Sequence, residues 1–266
     1  MRRDELLRLL RATAHSNASM LDLKGKTLRD LDLQGLDLSR TILEGSDLSG
    51  ANLSDANLYE TNLITATLRK TILNGTNLVK ANLTRANMQE ASLREGNLHK
   101  AILDHANLSK ANMRQANLTE ASLSGTDLNK SILIASTLNK ANLDYAKLAE
   151  AILAGANLKK VSLREASLNY ADLTGADFSG ANLNGANLVF AKLTGIVLDK
   201  ASLRDAVFIK EDIDKVDLSG VDFSQAKLID SVDWFKRMIE LSQQEGEFDD
   251  ALDRRLPGSG WFGKRR

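Results

Sequence analysis

A large apolar residue recurs at every fifth position from Leu23 to Leu228 without one insertion, giving 42 consecutive pentads. The stretch "ANLTRANMQEASLREGNLHKAILDHANLSK", from Ala81 to Lys110, shows the pattern. The large residue, or centre, is Leu except at Met88, Met113, Phe178, Phe208, Ile213 and Phe223. Two residues before it stands a small one, Ala in 24 of the 42 pentads and Ser, Thr or Gly in many others. The residue directly before the centre is usually Asn, Asp, Ser or Thr. The two after it vary, are often charged, and the second is often Gly.

Neither regular secondary structure can use this period. At about 100° per residue, five residues of helix turn about 500°, so successive centres step about 140° round the axis and form no stripe. In a strand an odd period puts successive centres on opposite faces. The pattern works if each pentad is a short strand and a turn, with the small residue inward, the polar one outward, the centre inward, and the last two at a corner. Alternating small and large inward residues fill a narrow interior. One pentad cannot bury its own centre, so stability must come from stacking neighbours.

The motif Ala-Asn/Asp-Leu-x-x resembles that of the pentapeptide repeat family over residues 21–230. The resemblance implies an all-β solenoid, a right-handed quadrilateral β-helix with four pentads per coil. Carried over to 42 pentads, it gives about ten and a half coils, and at about 4.8 Å per coil a rod roughly 50 Å long. Three regions are expected: an N-terminal helical cap at 1–20, the β-helix at 21–230, and a C-terminal helical segment and tail at 231–266.

The ends carry the signals for caps. Residues 4–14, "DELLRLLRATA", read as an amphipathic helix with Leu6, Leu7 and Leu10 on one side. Arg8 and Arg11 break the apolar run, so the segment reads as part of the mature protein rather than a signal peptide. Past Asp230 the period stops. Trp234, Phe235, Met238 and Ile239 fall at helical spacing, as do Phe248, Leu252 and Leu256, before a tail with Trp261 and Phe262. Two inward positions are charged. Lys26, in the first coil, can reach out of the end, whereas a buried Glu211 would be costly and predicts a local distortion. Isoleucine takes the outward place at Ile42, Ile72, Ile102 and Ile132, thirty residues apart, which suggests duplication of six-pentad blocks.

Sorting residues by their remainder on division by twenty gives three outward columns. Asn57, Asn77, Asn97, Asn117 and, past Thr137, Asn157 form the first, expected to hydrogen-bond between coils. The second is Arg40, Glu60, Lys80, Lys100, Glu120, Lys140, Lys160, Gly180 and Lys200. With Lys159, its part from 80 to 160 has five positive residues against one negative. A solvated face is the expected role. The alternative is an anion-contacting stripe of Lys80, Lys100, Lys140, Lys159 and Lys160, which would bind in a salt-dependent way but lacks interleaved aromatics for stacking on bases. The third column is apolar: Val189, Ile209 and Ile229, with Tyr170, Phe190 and Val207 beside them. Such a patch marks an interface or is covered by the chain's own C-terminal segment, which begins two residues after Ile229.

Composition narrows the function. Thirty-five basic and thirty-five acidic residues give zero formal charge, which speaks against both nucleic-acid binding and acidic mimicry of it. There is no cysteine, and His15, His99 and His105 are scattered, so no metal site is expected. No apolar run reaches the roughly 18 residues of a membrane span. No triad, paired-carboxylate site or phosphate loop appears, and an interior filled with Leu and Ala leaves no pocket. The expectation is a non-catalytic cytoplasmic solenoid without cofactor, binding a protein partner, a monomer rather than a homodimer. Its rival is a DNA mimic of the kind that, among pentapeptide repeat proteins, protects DNA gyrase. The neutral charge and the lack of a loop between pentads disfavour it.

Overall fold

The computed structural model describes residues 1–14, 20–213, 216 and 221–236. A helix α1 (Arg3–Ala14) comes first. The chain then winds into a stack in which residue i is bridged in parallel to residue i+20, at every fifth position from Asp22↔Ile42 to Asn187↔Val207. Twenty residues per turn and five per side give a four-sided coil. Beyond it come β1 (Val207–Ile209), α2 (Lys210–Ile213) and β2 (Lys227–Ile229), and a helix α3 described over residues 231–236. β1 and β2 keep the same twenty-residue register, Val207 against Lys227 and Ile209 against Ile229.

One pentad shows why these residues make this coil. Ala116 and Leu118 are buried. Asn117 N–H donates to Gly96 O of the previous coil at 2.9 Å, and Leu118 N–H to Thr137 O of the next at 2.7 Å. Glu120 N–H reaches Asn139 O at 2.9 Å, while Ala116 N–H closes a turn on Met113 O at 3.1 Å. That leaves Thr119 N–H, and the Asn117 side chain accepts from it at 3.1 Å. Every backbone donor of the pentad is thereby satisfied, as a tightly packed chain requires. The outward Asn or Asp is therefore structural: it holds the fifth donor in an Asx turn. The same bond recurs from Asp22 to Asn187 and again at Asp222.

Serine at the outward place is too short to accept from this donor in the same way. At four such serines the preceding coil supplies the acceptor, whereas Ser167 donates to Asn169 Oδ1 of its own coil. Asn74 Oδ1 accepts from both Ser92 Oγ at 2.7 Å and Arg94 N–H at 3.0 Å. Asp104 does so for Ser122 and Ser124, Asp144 for Ser162 and Arg164, and Asn184 for Ser202 and Arg204. Asn129 serves Ala149 N–H where Lys147 stands outward. The expected rungs between stacked asparagines form in part. Asn77 donates to Asn57 at 2.8 Å, Asn57 to Asp37 at 2.9 Å, and Asn117 to Asn97 at 3.1 Å.

The corners require a left-handed backbone. Every fifth residue from Gly25 to Asp205 has φ between 54° and 71°, and 26 of these residues are not glycine. Each costs roughly 1 kcal/mol or more relative to right-handed geometry, and the inter-coil ladder offsets that cost. Inward hydroxyls are satisfied too: Thr61, Thr71, Thr76 and Thr126 each donate to a carbonyl 23 residues earlier.

At the N-terminal end Leu6 is fully buried with the core leucines, and Leu10 packs against them. The Met1 amine donates to Thr27 O at 3.1 Å and Arg3 Nε to Asp32 O at 2.7 Å, which ties α1 to the first coil. Lys26 is exposed, as expected. Towards the other end the sequence period outlasts the geometry. The pentads read as continuous to Leu228, but among the described residues the last left-handed corner is at Asp205, and α2 takes the place of the next side. Glu211 is the reason, since its carboxylate stays at the surface and accepts from Ser231 N–H and Oγ at 3.3 and 2.9 Å. The features expected from Met238 to Phe262 lie outside the described residues.

Candidate functional site

The last coils differ from the rest of the rod. Val189, Ile209 and Ile229 stack at successive coils because they lie twenty residues apart, and Val207 lies beside them in β1. β2 ends at Ile229, and Asp230 starts α3: its Oδ1 accepts from Val232 N–H at 2.9 Å and Asp233 N–H at 3.3 Å. A side-chain acceptor at this place stabilises a helix start. With Ser231 held by Glu211, α3 folds back on the rod and lays Trp234 over the strip.

Val189, Val207, Ile209 and Trp234 then form a buried cluster separate from the main core, with Phe190 and Ile229 half-buried against it. The six residues read from the sequence as a candidate interface thus divide. Val189, Val207 and Ile209 are inside, and cannot meet a partner while Trp234 covers them. Phe190 and Ile229 are at the rim. Tyr170 is 41% exposed. The covering segment anticipated from the sequence is in place as far as Lys236.

What stays outside is aromatic. Tyr170 stacks on Phe190 with centroids 5.3 Å apart. Phe190 meets Trp234 edge-on at 4.9 Å and Phe235 at 5.5 Å. Phe235 is 53% exposed. Four rings therefore run continuously from a buried anchor to a solvent-facing corner, geometry favourable to aromatic association. Phe235 is a residue the sequence reading did not include in the interface; its spacing from Phe190 becomes visible only once α3 turns back.

The charged stripe has a different character from the one read along a single column. Arg40 and Lys80 flank Glu60 at 3.1 and 3.2 Å, and Lys100 and Lys140 flank Glu120 at 3.5 and 3.6 Å. Lys159 pairs with Asp177 at 3.1 Å. Four of the five lysines proposed to contact anions are thus already paired. The Tyr59 hydroxyl, then Lys80 and Arg40, hold the Glu60 carboxyl below its ordinary range; Lys100, with Lys140, does the same for Glu120.

A groove of about 300 Å³ opens over Gly185, lined by Arg164, Glu165, Arg204, Asp205 and Lys227 among others. At Gly185 the Glu165 side chain lies close to the backbone: a Cβ there would be 3.1 Å from Glu165 Cγ. The groove's cations are engaged, Arg164 with Asp144 at 2.7 Å and Lys227 with Asp205 at 2.9 Å, while Arg204 donates to Gln225 at 2.9 Å. Glu165 Oε2 is buried without a hydrogen-bond partner. Burial, helped by Asp144 and opposed by Arg164, pushes the Glu165 pKa up. An acid raised in this way favours the fold when protonated. That contribution is fully present below the ordinary Glu range and is lost as pH rises through the folded value. Glu165→Gln should therefore raise the thermal midpoint at pH 7, by about 1–2 °C on the scale for a chain of this size, and change it little near pH 4. A lower midpoint at pH 7 would show the charge to be stabilising instead.

No group of His, Cys, Asp or Glu able to hold a metal ion occurs among the described residues. No described helix is long and apolar enough to cross a membrane.

Comparison with known proteins places this architecture. A comparison with curated protein sequences finds no match. Among solved structures, the chain is similar to HetL, a pentapeptide repeat protein involved in heterocyst differentiation regulation from the cyanobacterium Nostoc sp. strain PCC 7120. The two are 32% identical over 78% of this chain and 97% of HetL, with a TM-score of 0.43. It is also similar to QnrB1, a plasmid-mediated fluoroquinolone resistance protein, at 17% identity over 84% of this chain and 96% of that one, TM-score 0.36. Rfr23 from the cyanobacterium Cyanothece 51142 is 34% identical over 37% of this chain and 60% of its own, TM-score 0.23. The family model described as pentapeptide repeats matches residues 27–63, 61–103, 97–139, 141–180 and 181–228. With its coil of four pentads, this chain belongs to the pentapeptide repeat family and is a right-handed quadrilateral β-helix.

Proposed function

We propose that this protein is a non-catalytic binding module whose protein partner docks on the C-terminal coils, at the corner formed by Tyr170, Phe190 and Phe235. The observation that carries this reading is the run of four rings with Tyr170 and Phe235 left facing solvent. Exposed aromatics backed by a rigid core are what protein interfaces use as anchors. Elsewhere the described surface consists largely of ion-paired corners and Asx turns that hold the coil together. The filled interior supports a binding role over catalysis. A rod of about ten and a half coils, with α1 closing its N-terminal end, monomeric and cytoplasmic, belongs to the same proposal. A DNA-mimicking, gyrase-protecting role has less support, because the formal charge is zero and corner carboxylates sit between cations.

The test is affinity capture with the wild type, with Tyr170→Ser/Phe235→Ser, and with Lys80→Gln as a control on another corner. A protein retained by the wild type and the control but lost from the double variant supports the reading. An identical set from all three, with the fold intact by circular dichroism, removes it.

A further inference from the structure

The thirty-residue period marked by the outward isoleucines also governs the corner charges. Arg40, Lys70, Lys100, Lys130 and Lys160 are thirty apart; so are Glu60, Glu90, Glu120 and Glu150, and so are Lys80, Lys110 and Lys140. Thirty residues are one and a half coils, so the pattern appears alternately on two diagonally opposite corners. Stacking at twenty residues then places Glu60, Glu90 and Glu120 each between two cations, while Glu150 has Lys130 on one side and Tyr170 on the other. Arg40–Glu60–Lys80 and Lys100–Glu120–Lys140 are complete triads on one corner. On the other, Lys70 pairs with Glu90 and Lys130 with Glu150.

The third triad of the first corner would be Lys160, a glutamate at 180, and Lys200. Position 180 is glycine. Both flanking lysines are there, without the carboxylate that the period puts between them. Lys160 pairs with no carboxylate among the described residues, and its chain lies over Gly180, its Cγ 3.4 Å from where a Cβ would be. Lys200 is 84% exposed and among the described residues reaches only Asp199, at 3.9 Å. Lys140, one coil before Lys160 in the same column, is taken up by Glu120 at 3.6 Å, and Lys159 pairs with Asp177 at 3.1 Å.

We propose that the gap over Gly180, between Lys160 and Lys200, is a recognition site for a carboxylate of an acidic peptide segment on a partner protein. The molecule itself contains the bound state twice. At Glu60 and Glu120 a carboxylate sits between two cations one coil above and below, at 3.1–3.6 Å. Lys160 and Lys200 have the same two-coil separation, about 10 Å, which suits one carboxylate accepting from both. A glutamate ligand is the natural choice because the site is the mould of a glutamate. The gap lies half a coil from the aromatic corner, so it stands or falls independently of the partner proposed there.

The probe is hexaglutamate, titrated into the full chain at low salt and followed by amide chemical shifts. Shifts should centre on residues 160, 180 and 200 and fade by about 0.2 M salt, where surface charges are screened. Gly180→Glu supplies a tethered carboxylate and should weaken binding about tenfold or more, as should Lys160→Gln/Lys200→Gln. Lys80→Gln, in a filled triad, should not. Gly180→Glu is compatible with the fold, because Glu60, Glu90, Glu120 and Glu150 already hold φ of 54–61° at equivalent corners. Unchanged affinity in folded Gly180→Glu, shifts spread over all lysine-bearing corners, or no saturation by about 10 mM peptide would overturn the proposal. So would tighter binding of inorganic phosphate, which would make the gap a phosphate site.

Discussion

Leu118→Ala should destabilise the protein by about 2–5 kcal/mol, through lost transfer free energy and the cavity left behind. Leu118 is fully buried in the middle of the rod, and its column neighbours Leu98 and Leu138 are buried just as fully. Coil spacing is fixed by the backbone ladder, so the neighbours cannot close in and the cavity persists. The informative partner is Ala116→Leu. It adds apolar surface, yet Ala116 is only 1% exposed and faces inward between coils, so overpacking should cost about 1–3 kcal/mol. Urea unfolding of both variants measures this. A neutral or stabilising Ala116→Leu would mean that the small column is not the tight inward surface described above.

How much of this was legible in the sequence depends on the range of the interaction. The strand-and-turn pentad was, because an unbroken period of five suits neither a helix nor a plain strand and places Ala116 and Leu118 inside and Asn117 outside; four pentads to a coil is what the family resemblance implied. The purpose of Asn117 was not. Its polarity reads as solvent exposure, and only the full count of backbone donors shows that Thr119 N–H needs it. The same count would have exposed the serine substitution at four of its five places: an outward Ser92, Ser122, Ser162 or Ser202 has Asn or Asp eighteen residues earlier, and Ser167, with Ala149 there, does not. The lysine stripe is less free than the charges from 80 to 160 alone suggest. Glu60 lies one coil earlier in the same column and takes up Lys80. The distortion at Glu211 was anticipated from the cost of burying a carboxylate, but its use as the anchor of Ser231 requires knowing that α3 turns back. Phe235 joined the aromatic corner for the same reason.

Trp234→Ala should loosen the C-terminal coils by about 3–5 kcal/mol, the range for removing a buried tryptophan. In a solenoid each coil touches only its neighbours, so the loss should stay local. Amide exchange at Val207–Ile209 should quicken while exchange near Leu118 is unchanged. Val189, Val207 and Ile209, now covered, would face water as one apolar strip, and such a strip promotes association. Light scattering should therefore show a larger species for Trp234→Ala than for the wild type. Trp234→Phe separates packing from polarity. The indole Nε1 is buried without a partner, so losing it forfeits no hydrogen bond, and phenylalanine should preserve most of the cover. If Trp234→Phe proved as disruptive as Trp234→Ala, the indole nitrogen would be making a bond that this packing account lacks. If Trp234→Ala left both exchange and scattering unchanged, α3 would not be what shields the strip.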